Sequence, residues 1–132
     1  MRKNGGVRIN ASSFASVIPS VGYGAYAAAK AGVTSLTRTL AAELAPYNIR
    51  VVGYIPGVID TNLTKENLRV NGEKLYEPLA IRRFGQPEDV AGTIAFLASE
   101  AASYITGCCI EVTGGKYSVQ NPMKAYEFAK EN

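Results

Sequence analysis

Short apolar runs alternate with long helical patterns along this chain, and that alternation limits the folds open to it. The runs Val7–Ala11, Ile49–Ile55 and Cys108–Val112 have the β-branched and apolar character of strands. Between them, Ala25–Leu44 and a stretch that begins at Pro87 carry apolar residues at helical spacing. Right-handed crossovers of this length place successive parallel strands side by side. The sequence therefore predicts an α/β fold: a parallel sheet of about three strands with flanking helices.

Each of the two main helices is expected to bury one apolar face. In the first helix the predicted stripe consists of Val33, Leu36, Leu40 and Leu44. In the second, which should run to about Ser99, it consists of Val90, Ile94, Phe96, Leu97 and Ala98. The polar segment Val58–Pro78 is expected to be a mobile surface excursion with one or two short helices, and Pro122–Asn132 a terminal helix.

Composition fits one soluble globular domain. The chain has 132 residues, 47% of them hydrophobic, and no apolar run near the roughly 18–20 residues that span a bilayer. No apolar segment follows the basic N-terminus, so we expect no signal peptide, no membrane contact and a cytoplasmic location. The net charge of +3 comes from scattered basic residues, which argues against nucleic acid.

The two cysteines, Cys108 and Cys109, are adjacent, and the chain has no histidine. A disulfide between strand neighbours would be strained, and two thiols alone do not form a zinc site. We therefore expect buried, reduced cysteines and no metal.

Polar residues follow each predicted strand: Ser13 after the first, Pro56–Thr61 after the second and Thr113–Gly115 after the third. Carboxyl ends of parallel strands share one edge of the sheet, where ligands bind. Tyr26 and Lys30 lie four residues apart, on one face of a helix that starts at this edge. A phenol beside an ammonium can donate a proton without histidine. From these residues alone, an ordinary exposed helix surface is the favoured interpretation of Tyr26 and Lys30.

Taken together, the motifs resemble those of the short-chain dehydrogenase/reductase family, and of 3-oxoacyl carrier-protein reductases within it. The resemblance covers about residues 6–115. It rests on the following motifs: Ser13, Tyr26-x-x-x-Lys30, Ala31-Gly32, Ile49-Arg50-Val51 before Pro56-Gly57, Asp60-Thr61, Gly85-x-Pro87-Glu88-Asp89 and Ile105-Thr106-Gly107.

The resemblance implies a role for each site residue. Tyr26 would be the general acid in carbonyl reduction and the base in alcohol oxidation, Ser13 would hold the substrate oxygen, and Lys30 would bind the nicotinamide ribose and stabilise the Tyr26 phenolate. NAD or NADP would be the cofactor, contacted by Tyr26 and Lys30, by Pro56 and Gly57, by the Ile59 backbone and by the Thr61 hydroxyl. Thr61 could instead be a helix N-cap. Ser12 is interpreted as structural and Tyr23 as part of the pocket wall.

The sequence departs from the family in one main respect. It lacks the glycine-rich turn that holds the cofactor pyrophosphate at a helix N-terminus. The resemblance is therefore to the C-terminal half, a partial Rossmann-like, doubly wound sheet. Within a single domain 1–132 we expect a catalytic segment 7–45, a nicotinamide and substrate loop 56–80, a helix–strand unit 87–115 and a tail 116–132.

Two functions follow from this pattern. The chain could be an oxidoreductase that interconverts a small-molecule carbonyl and a secondary alcohol. It could instead be an inactive fragment that associates with a partner. Cofactor binding should be weak or absent. The first strand should have a bare edge, which predicts a homo-oligomer or a complementary chain on that edge.

Overall fold

The computed structural model describes residues 5–131 of the chain. Residues 1–4, on which the prediction about a signal peptide partly rests, and Asn132, the end of the predicted tail helix, lie outside the described residues. Residues 5–131 contain ten elements, three of which are strands and four of which are α-helices.

The three strands form one parallel sheet. Strand β1 is Gly6–Ala11, β2 is Ile49–Pro56 and β3 is Cys109–Val112. Their order is β1-β2-β3, and the register pairs Asn10 with Gly53 and Gly53 with Cys109. Strand β2, the most apolar of the three, lies in the middle and is largely buried. The predicted α/β fold, with three parallel strands and flanking helices, is confirmed.

Helix α1, Gly24–Leu44, crosses from β1 to β2 and packs on the middle strand. Its contact face consists of Ala27, Thr37 and Ala41, with Leu40 and Leu44 partly buried beside them. The predicted stripe was wrong at Leu36, which is 48% exposed. The neighbouring Thr37 is buried instead, because its hydroxyl donates to the Val33 carbonyl and accepts from the Asn10 amide.

The remaining helices lie at the periphery of the sheet. Helix α2 is Lys65–Tyr76, α3 is Pro87–Ala98 and α4 is Met123–Glu131. Single 3-10 turns occur at Phe14–Ser16, Ala45–Tyr47 and Glu100–Ala102. The excursion after β2 thus contains one helix with no buried residue, and the predicted tail helix is present. On α3, Leu97 is buried but Phe96 is 46% exposed, so Phe96 does not belong to the apolar face.

The cysteines differ from their prediction in burial. Cys108 and Cys109 are free thiols, but each is only half-buried, since β3 is the last strand of the described sheet. Burial raises the pKa of the Cys109 thiol. Within residues 5–131, no helix is long and apolar enough to cross a membrane.

The ends of β2 and β3 approach each other closely. The Gly57 N–H donates to the Val112 carbonyl over 2.9 Å. A side chain at Gly57 would bring its Cβ within 2.7 Å of the Thr113 Cα, so only glycine fits there without displacing backbone. This approach brings the segments that follow both strands to one place at the sheet edge.

Candidate active site

Tyr26 and Lys30 lie together in the first two turns of α1. The Lys30 Nζ is 5.7 Å from the centroid of the Tyr26 ring and donates to the Ala11 carbonyl over 3.1 Å. Ala11 ends β1, so this bond fixes the ammonium at the carboxyl edge of the sheet. Tyr26 is 47% exposed, and its hydroxyl makes no hydrogen bond within the described part of the chain. The pair therefore presents a free phenol next to a positioned ammonium.

The two serines after β1 differ in their surroundings. Ser12 is buried; its hydroxyl donates to the Lys30 carbonyl over 3.2 Å and lies 2.7 Å from the Thr34 hydroxyl. Ser13 is half-buried, and its Oγ accepts from the Ala15 N–H over 3.2 Å. The Ser13 hydroxyl proton has no acceptor among residues 5–131, nor does a hydrogen bond join Ser13 to Tyr26. Ser12 thus joins β1 to α1, and Ser13 keeps a donor free.

The segment after β2 presents backbone groups at the same edge. The Asp60 N–H donates to the Gly85 carbonyl over 2.8 Å, and the Gly85 N–H donates to the Val58 carbonyl over 3.0 Å. The Ile59 N–H, in contrast, makes no hydrogen bond to any other described residue. The structure therefore leaves a backbone donor open at the position where the sequence predicts a cofactor contact.

Thr61 does not cap a helix. Helix α2 has Thr64 as its N-cap, and the Thr61 N–H donates to the Thr64 hydroxyl over 2.9 Å. The two hydroxyls lie 3.0 Å apart, and the Thr64 hydroxyl also donates to the Ile59 carbonyl. Thr64 therefore fixes both ends of the segment Ile59–Thr61, and the Thr61 hydroxyl is held rather than free to rotate.

A cavity of about 370 Å³ lies at the ends of β2 and β3. Ile59 lines it together with Arg83, Thr113, Gly114 and Ser118. None of Ser13, Tyr26 and Lys30 lines this cavity. The structure therefore brings Lys30, Tyr26 and the end of β1 together, and it places Ile59 at a neighbouring concavity of the same edge.

Two features of this edge were not predicted from the sequence. Arg83 forms a two-pronged ion pair with Asp89, over 2.6 and 2.8 Å. Lys116 is a lysine that is only 6% exposed. Its position directly after Thr113-Gly114-Gly115, at a strand end, is the one sequence signal that could have drawn attention to it. Within residues 5–131, no three His, Cys, Asp or Glu side chains cluster as metal ligands.

A protein-family model described as enoyl-(acyl carrier protein) reductase matches residues 1–116. Human dehydrogenase/reductase SDR family member 4 is 46% identical over 117 residues, covering 86% of this chain and 42% of that protein. The 3-oxoacyl-[acyl-carrier-protein] reductase of Synechocystis is 45% identical over 116 residues, covering 87% and 46%. The chain thus spans less than half the length of these curated relatives.

Solved structures show the same relationship in three dimensions. A 7α-hydroxysteroid dehydrogenase complexed with NADH and 7-oxo glycochenodeoxycholic acid superposes with a TM-score of 0.84 at 38% identity, covering 87% of this chain and 46% of that one. A putative 2-deoxy-D-gluconate 3-dehydrogenase from Agrobacterium tumefaciens, with bound NADP, gives 0.83 at 37% identity, covering 87% and 48%. The sequence motifs, the parallel sheet and the similarity to known sequences and solved structures agree: this chain belongs to the short-chain dehydrogenase/reductase family of oxidoreductases.

Proposed function

We propose that this chain carries the proton-transfer half of an NAD(P)-dependent oxidoreductase that interconverts a carbonyl and a secondary alcohol. The observation that carries the proposal is the placement of the Lys30 ammonium between the Tyr26 ring and the Ala11 carbonyl. That placement fixes a cation beside a phenol whose hydroxyl has no hydrogen-bond partner among residues 5–131. The relatives named for an activity are reductases and dehydrogenases, which supports the reaction class.

Tyr26 would donate its phenolic proton to the carbonyl oxygen as the alcohol forms, and would take it back in the reverse direction. The Ser13 hydroxyl, which has no acceptor within residues 5–131, would donate to the same oxygen. The phenolate left on Tyr26 lies beside the Lys30 ammonium. Between exposed charges a few ångström apart this attraction is on the order of 1 kcal/mol. Because Tyr26 is 47% exposed, a stronger effect requires a bound molecule that covers the pair and excludes water.

A nicotinamide cofactor, when bound, supplies or accepts the hydride. The residues present fit its nicotinamide end. The Ile59 N–H is an open backbone donor, the Thr61 hydroxyl is fixed by Thr64, and Lys30 extends along the sheet edge toward Ala11. No glycine-rich phosphate turn occurs in the 132 residues. For this reason we expect weak affinity for NADH and NADPH.

A matched tyrosine pair tests the proposal. Tyr26→Phe should lower the rate of NADPH- or NADH-dependent carbonyl reduction by about 10²–10⁴-fold, since it deletes the proton donor. Tyr104→Phe removes the hydroxyl of a fully exposed tyrosine that precedes β3 and should leave the rate within about twofold. Reduction is followed by absorbance of the reduced cofactor, for the chain alone and mixed with a complementary N-terminal half from a family member. Equal rates for the two variants would contradict the proposed role of Tyr26.

A second candidate function is a non-catalytic module that binds a partner through β1. The observation in its favour is that β1 pairs with β2 on one side only, within the described sheet. Activity that depends on Tyr26 supports the enzyme. Association through β1, with no turnover alone or with the complementary half, supports the binding module.

A further inference from the structure

Three hydroxyl groups lie together between the end of β1 and α1. Ser12 follows β1, Ser16 ends the 3-10 turn after it, and Thr34 lies on α1. Their oxygens are 2.7 Å apart for Ser12 and Thr34, 3.1 Å for Ser12 and Ser16, and 3.2 Å for Ser16 and Thr34. Ser12 is buried and the other two are half-buried. These three residues, the hydroxyl cluster, join a strand end, a turn and a helix.

The hydroxyl cluster also holds the backbone of two proposed site residues. The Ser16 hydroxyl donates to the Ser13 carbonyl over 2.7 Å, and the Ser16 N–H donates to the same oxygen over 2.9 Å. On the helix side, the hydroxyls of Ser12 and Thr34 each reach the Lys30 carbonyl over 3.2 Å. One set of hydrogen bonds therefore extends from the peptide of Ser13 to the peptide of Lys30.

The functional groups of the two site residues are positioned from these peptides. The Ser13 Oγ accepts from the Ala15 N–H in the following turn, and the Lys30 Nζ donates to the Ala11 carbonyl at the strand end. Within residues 5–131, no hydrogen bond joins the side chains of Ser13 and Lys30 directly. The distance between the Ser13 hydroxyl and the Lys30 ammonium is therefore set through the backbone.

Buried side chains give this end of α1 little support. Among residues 24–36 of the helix, only Ala27 is buried, and Tyr26 is 47% exposed. A methyl group lets a helix rotate or slide over a sheet, whereas hydrogen bonds are directional. The hydroxyl cluster therefore supplies the directional contact between this part of α1 and the end of β1.

We propose that Ser16 and Thr34 are positioning residues of the proposed site. Through the hydroxyl cluster they set the separation between the Ser13 hydroxyl and the Tyr26–Lys30 pair. This inference rests on the proposed function, since it adds residues to the same site. The Ser13 and Tyr26 hydroxyls would have to meet one substrate oxygen, and a displacement of about 1 Å can cost on the order of 10²-fold in rate.

The first test is NMR on the full chain, so that no turnover is needed. The ¹³C shift of a carbonyl responds to the hydrogen bonds that the carbonyl accepts, so the Ala11 resonance reports the bond from Lys30. Thr34→Val should move this resonance in the same direction as Lys30→Met, whereas Thr34→Ser, which keeps the hydroxyl, should leave it in place. Ser16→Ala should move it as Thr34→Val does, and decides the test if Thr34→Val does not fold.

Thr37→Val is the matched control, at a threonine of the same helix. The Thr37 hydroxyl donates to the Val33 carbonyl and accepts from the Asn10 amide, but makes no hydrogen bond to a proposed site residue within the described chain. Thr34 and Thr37 both also hydrogen-bond the Cys109 thiol, so that contact is lost in either variant. Because Thr37 is fully buried, Thr37→Val should lower the thermal midpoint at least as much as Thr34→Val and yet leave the site resonance in place.

Kinetics supply the second readout, in the cofactor-absorbance assay with the complementary half. Thr34→Val should lower kcat about tenfold and keep KM within about twofold, since a misplaced donor weakens the transition state more than substrate binding. Thr34→Ser should recover the parent rate, and Thr37→Val should stay within about twofold of it.

Three results would overturn the inference: an Ala11 resonance that Thr37→Val moves as far as Thr34→Val, a Thr34→Ser variant that behaves like Thr34→Val, or a parent kcat in both Thr34→Val and Ser16→Ala. The first would make the hydroxyl cluster a general source of stability. Failure of the proposed function is separate. The expected resonance changes in a chain without turnover support the positioning role and count against catalysis, whereas turnover that depends on Tyr26 but not on Thr34 or Ser16 does the reverse.

Discussion

Ser12 and Ser13 are neighbours in the chain, yet their hydroxyls serve different ends. The side chain of Ser12 points into the β1–α1 interface, where it contacts the Thr34 hydroxyl and the Lys30 carbonyl. Ser13 begins the 3-10 turn that follows β1 and keeps its proton free of acceptors among residues 5–131. Because successive side chains of an extended strand point to opposite sides, the Ser12 side chain lies in the interface with α1 and the Ser13 side chain lies at the sheet edge.

Substitution separates the two roles. Ser12→Ala should lower the free energy of unfolding by about 1–2 kcal/mol, because it removes one member of a buried hydrogen-bond network. Ser13→Ala should lower it by less, on the order of 0.5 kcal/mol, since only the bond to the Ala15 N–H is lost. Urea denaturation of both variants measures the difference. A larger loss for Ser13→Ala would show that the half-buried serine, and not the buried one, stabilises this corner.

At this scale the sequence predicted the Tyr26–Lys30 pair and the structural role of Ser12, because those depend on helix spacing and on the strand end. It could not predict the burial of Lys116. Nor could it predict the stacking of Tyr117 on Phe14, a contact between residues more than one hundred positions apart. Local patterns carry no information on such a contact.

Among the elements, α3 has the best-defined start. Asp89 accepts from the Gln86 N–H over 2.7 Å and pairs with Arg83 through both carboxylate oxygens. Gln86 is the N-cap and Pro87 the first helical residue. One carboxylate therefore satisfies a free N–H at the helix start, complements the helix dipole and ties the preceding turn to α3.

The same carboxylate predicts a pH dependence of stability. The Arg83 guanidinium and the Gln86 N–H hold the pKa of Asp89 well below its usual range. Because the folded pKa is lower than the unfolded one, which is about 4, this stabilisation is present above pH ~4 and is lost as the pH falls further. Asp89→Asn should be less stable than the parent at pH 6, and the gap should narrow toward pH 2. Thermal midpoints at both pH values measure this gap.

Glu88→Gln is the matched control, since Glu88 is an exposed acid in the same turn. This substitution should leave the change in thermal midpoint between pH 6 and pH 2 the same as in the parent chain. A gap that stays constant between pH 6 and pH 2 in Asp89→Asn would mean that packing, and not the charge, is the source of the effect.

Element positions were more predictable than element faces. Periodicity located α1 and α3, because apolar spacing, Pro87 and the strands around them are local signals. It misplaced Leu36 and Phe96, which have helical spacing but are exposed. In α1 the position beside Leu36 that faces the sheet is taken by Thr37, which Asn10 selects through a hydrogen bond. The hydrogen bond between Asn10 and Thr37 therefore decides which residue of this turn faces the sheet, against the expectation from apolar spacing.

For the whole molecule, the edge of β1 that is open within the described sheet is the place where we expect association. The Gly6 N–H donates to the carbonyl of Asn48, which precedes β2, and the Ser12 N–H donates to the Tyr54 carbonyl in β2. In a parallel ladder, successive residues alternate between the two sides, so the even-numbered residues of β1 face β2. Val7, Ile9 and Ala11 therefore direct their backbone groups to the open side. The bond from Lys30 to the Ala11 carbonyl blunts one end of that edge and leaves the rest available for another strand.

This alternation gives a direct test of the proposed association. Ile9→Pro removes a backbone donor from the middle of the open edge without deleting a bond to β2, and proline is tolerated on edge strands. If β1 pairs with a second copy or with a complementary chain, the variant should shift light-scattering mass toward the monomer and weaken association at least tenfold. Arg8→Pro deletes a donor that faces β2, so it should unfold the chain instead of dispersing it. A parent chain that is already a monodisperse monomer would show that β1 forms no interface. An Ile9→Pro variant that associates as before would show that β1 is not the interface and that other exposed apolar groups drive the assembly.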